Sequence, residues 1–414
     1  MSGSPPARRN LAILFLLYFA QGLPFGFQKE LSAFLRQAGL SLTKIGLSRG
    51  LAAPWLLKAL WAPLVDRYGL PDFGRRKSWI VPLQLLLALV FVAAAFVPPH
   101  VSLPTLIALV FLMNILTATQ DIAVDGLAID LFKGQQVGGA NVAQVVGYKI
   151  GMLVGGGVLL RASASIGWRG MLFALAALVV VVLLAVLTLR EPKVKPEASH
   201  VQQHLADILA TLGRQLQSPA GRWLILFVGT YKIGETLVDS LYSSFLIDSG
   251  YTPAQIGGWL GIWGMVASTL GSLTGGFFAS RLPILTAVAL TSLLRVAAMG
   301  GECYLTFLSP PLPADILGVS LAEHFAGGAL TTAMFAFMMM RVDKRIGASH
   351  YTVLASIEVL GKMPTGLFAG VMATHIGYRA TFLLGTALSA VFLLLLIPLR
   401  KLPAVSPLDA DSAS

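Results

Sequence analysis

Twelve stretches of this chain are apolar enough and long enough to cross a bilayer. They run over residues 11–37, 45–66, 79–97, 104–131, 138–160 and 168–190, then 221–247, 253–279, 283–306, 314–340, 349–374 and 378–399. About 20 consecutive apolar residues suffice for a helix to traverse the hydrocarbon. A helix also satisfies its own backbone hydrogen bonds where lipid offers none. The expectation is an all-α integral membrane protein of twelve transmembrane helices, with the lipid bilayer as its first partner. Composition agrees, since 56% of residues are hydrophobic and 12% charged, against about 25% charged in soluble domains.

The formal net charge of +11 would suit a nucleic-acid binder, but its distribution excludes that class. Eighteen of the 30 Lys and Arg fall in the termini and alternate loops on one side, five near the opposite loops and seven within the apolar segments. This is the positive-inside asymmetry. With an even number of spans it places both termini, which carry Arg8, Arg9, Arg400 and Lys401, in the cytoplasm. The first apolar run lacks a small-residue cleavage site and reads as an uncleaved span. Cys303 is the single cysteine, so no intrachain disulfide is available.

The longest polar interruption, Arg190 to Arg222, divides the chain into a six-helix half (1–190), a cytoplasmic linker (191–220) and a second six-helix half (221–414). Within the linker, residues 200–217 have helical character, which suits either a surface-lying helix or a solvated connection. The halves repeat. Phe34-Leu35, Gly39 and Ile45-Gly46 return as Phe245-Leu246, Gly250 and Ile256-Gly257, offset by 211, and Ile166-Gly167-Trp168-Arg169 returns as Ile376-Gly377-Tyr378-Arg379, offset by 210. A parallel six-span repeat is expected to bind its substrate between the halves near mid-membrane.

The loop Asp66-Arg67-Tyr68-Gly69-Leu70-Pro71-Asp72-Phe73-Gly74-Arg75-Arg76-Lys77 resembles the cytoplasmic loop of the major facilitator superfamily, with four residues inserted between its glycines. Trp61-Ala62-Pro63-Leu64-Val65-Asp66, Gln120-Asp121-Ile122-Ala123-Val124-Asp125 and Tyr231-Lys232-Ile233-Gly234-Glu235 are similar to signatures of a narrower branch, the acetyl-CoA transporters and AmpG-type muropeptide permeases. Within it the chain most resembles the orphan twelve-span vertebrate members. The resemblance implies two pseudo-symmetric halves, a cavity lined by the first, fourth, seventh and tenth helices, and a gating latch built from Asp66, Arg67, Arg75 and Arg76. Positive-inside topology alone is the competing account of the basic cluster.

Ionisable residues inside apolar segments are costly, by about 2.5–3.5 kcal/mol each at mid-membrane, so they mark function or buried pairing. Asp121 and Asp125 lie one turn apart, as do Glu235 and Asp239. Two carboxylates so close resist joint ionisation, which makes these four the candidates for proton coupling. Lys149 and Lys232 are candidates to hold an anionic substrate, with Tyr148, Tyr231, Gln21, Gln28, Glu358 and Lys362 beside them. Glu358 and Lys362, four apart, read equally as a neutralised structural pair. Lys29 and Glu30 read as snorkelling residues, and Gly22-Leu23-Pro24 as a kink in the first helix. The glycines at 155–157, 271, 275 and 276 read as close helix contacts. Arg295 has no assignment.

Scattered histidines give no metal spacing, no phosphate-binding glycine loop is present and no loop is long enough for a catalytic domain, so neither enzyme, metal nor cofactor is expected. The reading is a monomeric secondary active transporter working by alternating access on a small anionic organic solute, coupled to protons. An acetyl-CoA-like substrate comes first, with an anhydro-muropeptide as the alternative. A non-transporting sensor or scaffold is the alternative of another class. The expected membrane is a bacterial inner membrane or, in a eukaryote, an organelle or plasma membrane.

Overall fold

A computed structural model describes residues 5–37, 51, 53–70, 72–98, 102–134, 136–189, 191, 205–308 and 310–401. Gly39, Ile45, Gly46, Arg49 and linker residues 192–204 lie outside these, as do the side chains of Lys29 and Glu30. The protein is an all-α multi-pass membrane protein. Each of the twelve apolar segments is mainly helical over its described residues. Seven of the described helical stretches are long and apolar enough to cross a membrane by length and composition alone.

In chain order the helices are α1 (Pro5–Gln37), α2 (Ala53–Leu57), α3 (Ala62–Arg67), α4 (Lys77–Ala95), α5 (Leu103–Leu131), α6 (Gln136–Leu153) and α7 (Leu159–Leu187). The linker carries α8 (Leu205–Gln217). Then follow α9 (Pro219–Thr230), α10 (Ile233–Asp248), α11 (Pro253–Ile256), α12 (Gly264–Arg281), α13 (Ile284–Leu305), α14 (Pro313–Arg341), α15 (Gly347–Phe392) and α16 (Leu396–Lys401). Several segments that read as single spans are interrupted. The second breaks at a 3-10 turn, Lys58–Leu60, and the seventh at Tyr231-Lys232 between α9 and α10. The fifth and eighth carry π-helical turns at Val154–Val158 and Gly257–Trp263. By contrast α1 continues through Pro24 as one helix.

The chain forms two compact units. The first comprises residues 1–133, 143–210 and 344–352, the second residues 134–142, 211–343 and 353–414. Thus α6 and α15 each begin in one unit and end in the other. The apolar core of the first unit gathers Phe27, Leu87, Phe91, Leu106, Leu172 and Leu175, that of the second Leu237, Phe245, Met299, Leu305, Ile316 and Phe382.

The internal repeat is built into the joints. Gly167 and Gly377 both take a left-handed φ, +69° and +78°, and each interrupts the helix between consecutive apolar segments. A side chain there would be strained, which explains glycine at both places. Beside them Arg169 stacks over Phe96 at 5.4 Å and Arg379 over Phe307 at 4.3 Å. The two pairs are separated by the repeat's own offset, although neither phenylalanine belonged to the sequence match.

Glycines also set helix spacing. A methyl at Gly26 or Gly155 of the first unit would overlap the carbonyls of Met152 and Leu23, so α1 and the fifth apolar segment touch backbone to backbone. In the second unit Gly271 and Gly275 press on the carbonyls of Phe325 and Ala329, and Gly276 faces Val142.

Candidate functional sites

The Asp66 loop is a closed knot of charge. Asp66, 1% exposed at the end of α3, pairs through Oδ1 with Arg75 at 3.1 Å and Arg76 at 2.9 Å. Its Oδ2 accepts from the backbone N–H of Ser349 at 2.7 Å and the Ser349 hydroxyl at 2.5 Å. Ser349 lies in the first turn of α15, where unpaired N–H groups and the positive end of the helix dipole favour an anion. Arg76, fully buried, also holds Asp130 at 3.0 Å. Glu191 accepts from the N–H groups of Arg76 and Lys77 at the start of α4. Lys77 in turn donates to the carbonyls of Leu187 and Leu189 at the end of α7.

The charges respond to this crowding. Burial, then the Arg76 charge alongside, pulls the Arg75 guanidinium down to about 10, still cationic at neutral pH. Burial works against the charge on Arg76 too, yet Asp130 and Asp66 raise it above its ordinary value. Burial pushes the Glu191 carboxyl up, and its two backbone donors hold it back. Arg67 lies over the Tyr68 ring at 5.6 Å. The four-residue insertion is looped out, since Gly74 N–H returns to the Leu70 carbonyl at 2.9 Å and Gly74 takes a φ of +112°. The looser spacing therefore leaves the knot's geometry intact.

Gly126 of α5 makes room for Arg76, whose Cζ lies 2.6 Å from where an alanine methyl would sit. Gly126→Ala is expected to destabilise the protein by about 1–3 kcal/mol through overpacking, read as a lower melting temperature in detergent. An unchanged melting temperature would show that the guanidinium moves aside freely.

The first unit's intramembrane site joins α1, the second segment, α5, α6 and the start of α15. Asp121 is ion-paired to Lys58, whose ammonium also lies 5.3 Å from the Trp55 ring. Trp55 donates to Asn114 and Trp61 to Thr119, both at 3.1 Å, so the second segment is fastened to α5 at three levels. Asp125 has different partners: the Tyr18 hydroxyl at 2.7 Å and the Gln144 amide at 3.1 Å, with Tyr351 on the far side of Gln144. The two aspartates thus share a helix face: Asp121 is ion-paired to Lys58, while Asp125 hydrogen-bonds neutral donors and still lies within reach of the Lys58 charge and of Asp121. Tyr148 packs against Phe25 and Trp55, and Lys149 next to it is half-buried. Gln21 is fully buried, with both amide atoms lacking a hydrogen-bond partner among the described residues, and Gln28 is half-buried.

The second unit contains a continuous charge network. Lys362 pairs with Glu358 at 2.8 Å, and Lys232 lies 3.8 Å from Glu358 and 3.9 Å from Glu235. The Tyr231 hydroxyl reaches Glu358 at 3.5 Å. Glu235 continues to Arg295 at 3.4 Å, and Arg295 holds Asp239 at 3.0 Å and is ion-paired to Glu323. Glu323 contacts His324. Arg295, 2% exposed, is the hub. The six residues expected here, Tyr231, Lys232, Glu235, Asp239, Glu358 and Lys362, are brought together, but Lys232 sits between two carboxylates. Any anion held there must compete with them.

Sequence reasoning gave no role to Tyr18, Lys58, Gln144, Ser349, Arg295, Glu323 or Glu302. The available signal for Arg295 was its isolation, since a lone mid-membrane arginine requires carboxylates, and the neighbouring helices supply a surplus.

A family model described as acetyl-coenzyme A transporter 1 matches residues 10–165. The anhydromuropeptide permease of Escherichia coli (strain K12) is 30% identical over 394 residues, covering 94% of this chain and 79% of the permease. The chain belongs to the AmpG-type permease family of the major facilitator superfamily. Another relative, the putative transporter AmpG 4 of Rickettsia conorii, is 26% identical and covers 92% of this chain and 95% of the relative. Solved transporters share the fold at low identity. The fucose transporter FucP in its outward conformation superposes with a TM-score of 0.72 at 16% identity, covering 94% of this chain and 98% of that one. A bacterial homologue of the iron transporter ferroportin gives 0.73 at 12% identity, covering 96% and 100%. Like these relatives, an AmpG-type chain is a membrane transporter for a small molecule, not an enzyme.

Proposed function

We propose that this AmpG-type protein is a proton-coupled secondary transporter that carries an anionic organic conjugate by alternating access, as a monomer with the Asp66 loop and both termini in the cytoplasm. The observation behind proton coupling is an excess of carboxylates. In the second unit Glu235, Asp239, Glu302, Glu323 and Glu358 share three permanent cations, Lys232, Arg295 and Lys362. In the first, Asp125 is held by neutral donors while Asp121 takes Lys58. Uncompensated buried charge is costly, so surplus carboxylates favour protons. Asp121, Asp125, Glu235 and Asp239 are the proposed coupling groups.

The favoured cargo is an anhydromuropeptide, because the likeness to a named permease extends through both halves. The acetyl-CoA reading rests on the family match to residues 10–165. Both cargoes are anionic, and Lys149 and Lys232, with Tyr148, Tyr231, Gln21, Gln28, Glu358 and Lys362, are the proposed contacts.

Proteoliposomes with an imposed pH gradient test this. Labelled anhydromuropeptide should accumulate and acetyl-CoA should not, and accumulation should vanish when the gradient is collapsed. Asp125→Asn should reduce gradient-driven accumulation to background. Accumulation that survives collapse of the gradient would remove proton coupling, and uptake of acetyl-CoA alone would reverse the cargo assignment.

A further inference from the structure

Glu302 lies on α13 in the second unit and is 0% exposed. Neither carboxylate oxygen has a hydrogen-bond partner among the described residues. Its neighbours along the helix, Met299, Cys303 and Leu305, belong to the apolar core. Arg295 sits seven residues earlier, two turns away on the same helix face. The other charged and titratable groups acting on this position come from the helices packed around α13. They are Glu235, Asp239 and Tyr242 on α10, and Glu323 with His324 on α14. Arg379 on α15 is occupied one turn further on, with the Thr306 carbonyl and the Phe307 ring.

Arg295 is already committed to Glu235, Asp239 and Glu323. An ionised Glu302 would add a fifth carboxylate to the network with no cation of its own. A protonated one is neutral and fits the apolar core around it. Access is graded toward it: the Asp239 side chain is 42% exposed, His324 26%, Glu323 9% and Arg295 2%. Glu302, fully buried, stands at the inner end of this series.

We infer that Glu302 is a proton-carrying residue of the transport cycle, protonated in the present conformation and ionised when Arg295 turns from Asp239 and Glu323 to pair with it. The exchange is balanced in charge. Glu302 gives up its proton as it gains the guanidinium, and a carboxylate released by Arg295 takes a proton from water. Arg295 thereby links the protonation of α13 to that of α10 and α14. This inference rests on the proton-coupled reading above and adds a residue that the paired-carboxylate pattern does not include.

Glu302→Gln tests it, because an amide copies the shape and neutrality of a protonated carboxyl but cannot ionise. The variant should reach the membrane in normal amounts with an unchanged melting temperature. Substrate–substrate exchange in proteoliposomes without a pH gradient should stay within about threefold of the parent, while gradient-driven accumulation falls at least about tenfold, roughly a step of 1.4 kcal/mol in coupling. An infrared band of a buried protonated carboxyl, present in the parent, should be missing from the variant. Failure of Glu302→Gln to fold would mean that the ionised form is required here, and that overturns the inference. Accumulation at the parent level also overturns it. If the parent itself shows no gradient-driven accumulation, the proton-coupled reading has failed instead.

Discussion

Arg295→Ala is expected to eliminate folded protein from the membrane fraction. The guanidinium is 2% exposed and contacts Glu235, Asp239 and Glu323, besides donating to the Glu323 backbone carbonyl at 2.9 Å. Removing one partner of a buried ion pair typically costs about 3–5 kcal/mol, because the other charge is left uncompensated. Here three carboxylates lose one cation together, and the ion pairs of Lys232 are with Glu235 and Glu358. A loss of that size is comparable to much of the stability of an ordinary domain, about 5–15 kcal/mol. Arg295→Lys should be milder but still defective, since one ammonium cannot present the planar fork that meets three acceptors in different directions. The measurement is the yield and melting temperature of detergent-purified protein. Adding Glu323→Gln to Arg295→Ala should recover part of the loss, because the deficit is one of charge. A stable Arg295→Ala protein would show that water or protons already compensate the acids, and the hub would be a bystander.

What the sequence made legible follows from what repeats along it. Segment length and hydropathy are local, so the twelve apolar segments emerge from composition alone and fall on helices in the structure. The repeat likewise needed only two short matches, and Gly167 and Gly377 carry the same left-handed joint. Breaks within segments were less visible. Gly22-Leu23-Pro24 read as a kink, and α1 carries Pro24 inside one helix, because proline can be accommodated within a packed membrane helix. The seventh segment breaks at Tyr231-Lys232, between Gly229 and Gly234, whose spacing did not by itself single out a break. Partners were the hardest to see. Asp121 and Asp125 share a face by spacing, but that Asp121 would meet Lys58, 63 residues earlier, and Asp125 would meet Tyr18 depends on which helices are neighbours. Glu302 offers no local signal beyond its seven-residue spacing from Arg295, which is as regular as that of Lys232, Glu235 and Asp239.

Asp66→Asn should impair transport far more than insertion. Insertion depends on the apolar segments, which the substitution leaves alone. The amide can still accept from Ser349 through its oxygen, but it loses the charge that holds Arg75 and Arg76 and that complements the first turn of α15. Arg76 is then fully buried with Asp130 as its remaining ion-pair partner. The expected loss for such a contact is again about 3–5 kcal/mol. At 1.4 kcal/mol per factor of ten, the conformation containing this contact would be depopulated by roughly a hundredfold or more relative to one lacking it. Turnover should fall accordingly, because a cycle that cannot dwell in one of its states cannot complete. Ser349→Ala removes the hydroxyl hydrogen bond but keeps the backbone N–H donor and changes no charge, so its defect should be smaller, about tenfold, since a hydrogen bond to a charged group contributes about 1.5–3 kcal/mol. The ordering of the two variants is what separates a latch from a topology signal. If the basic residues served only to orient the chain, Asp66→Asn would add net positive charge to the loop and leave transport intact at normal expression. If Asp66 holds the start of α15, both variants lose turnover while membrane abundance stays near the parent's.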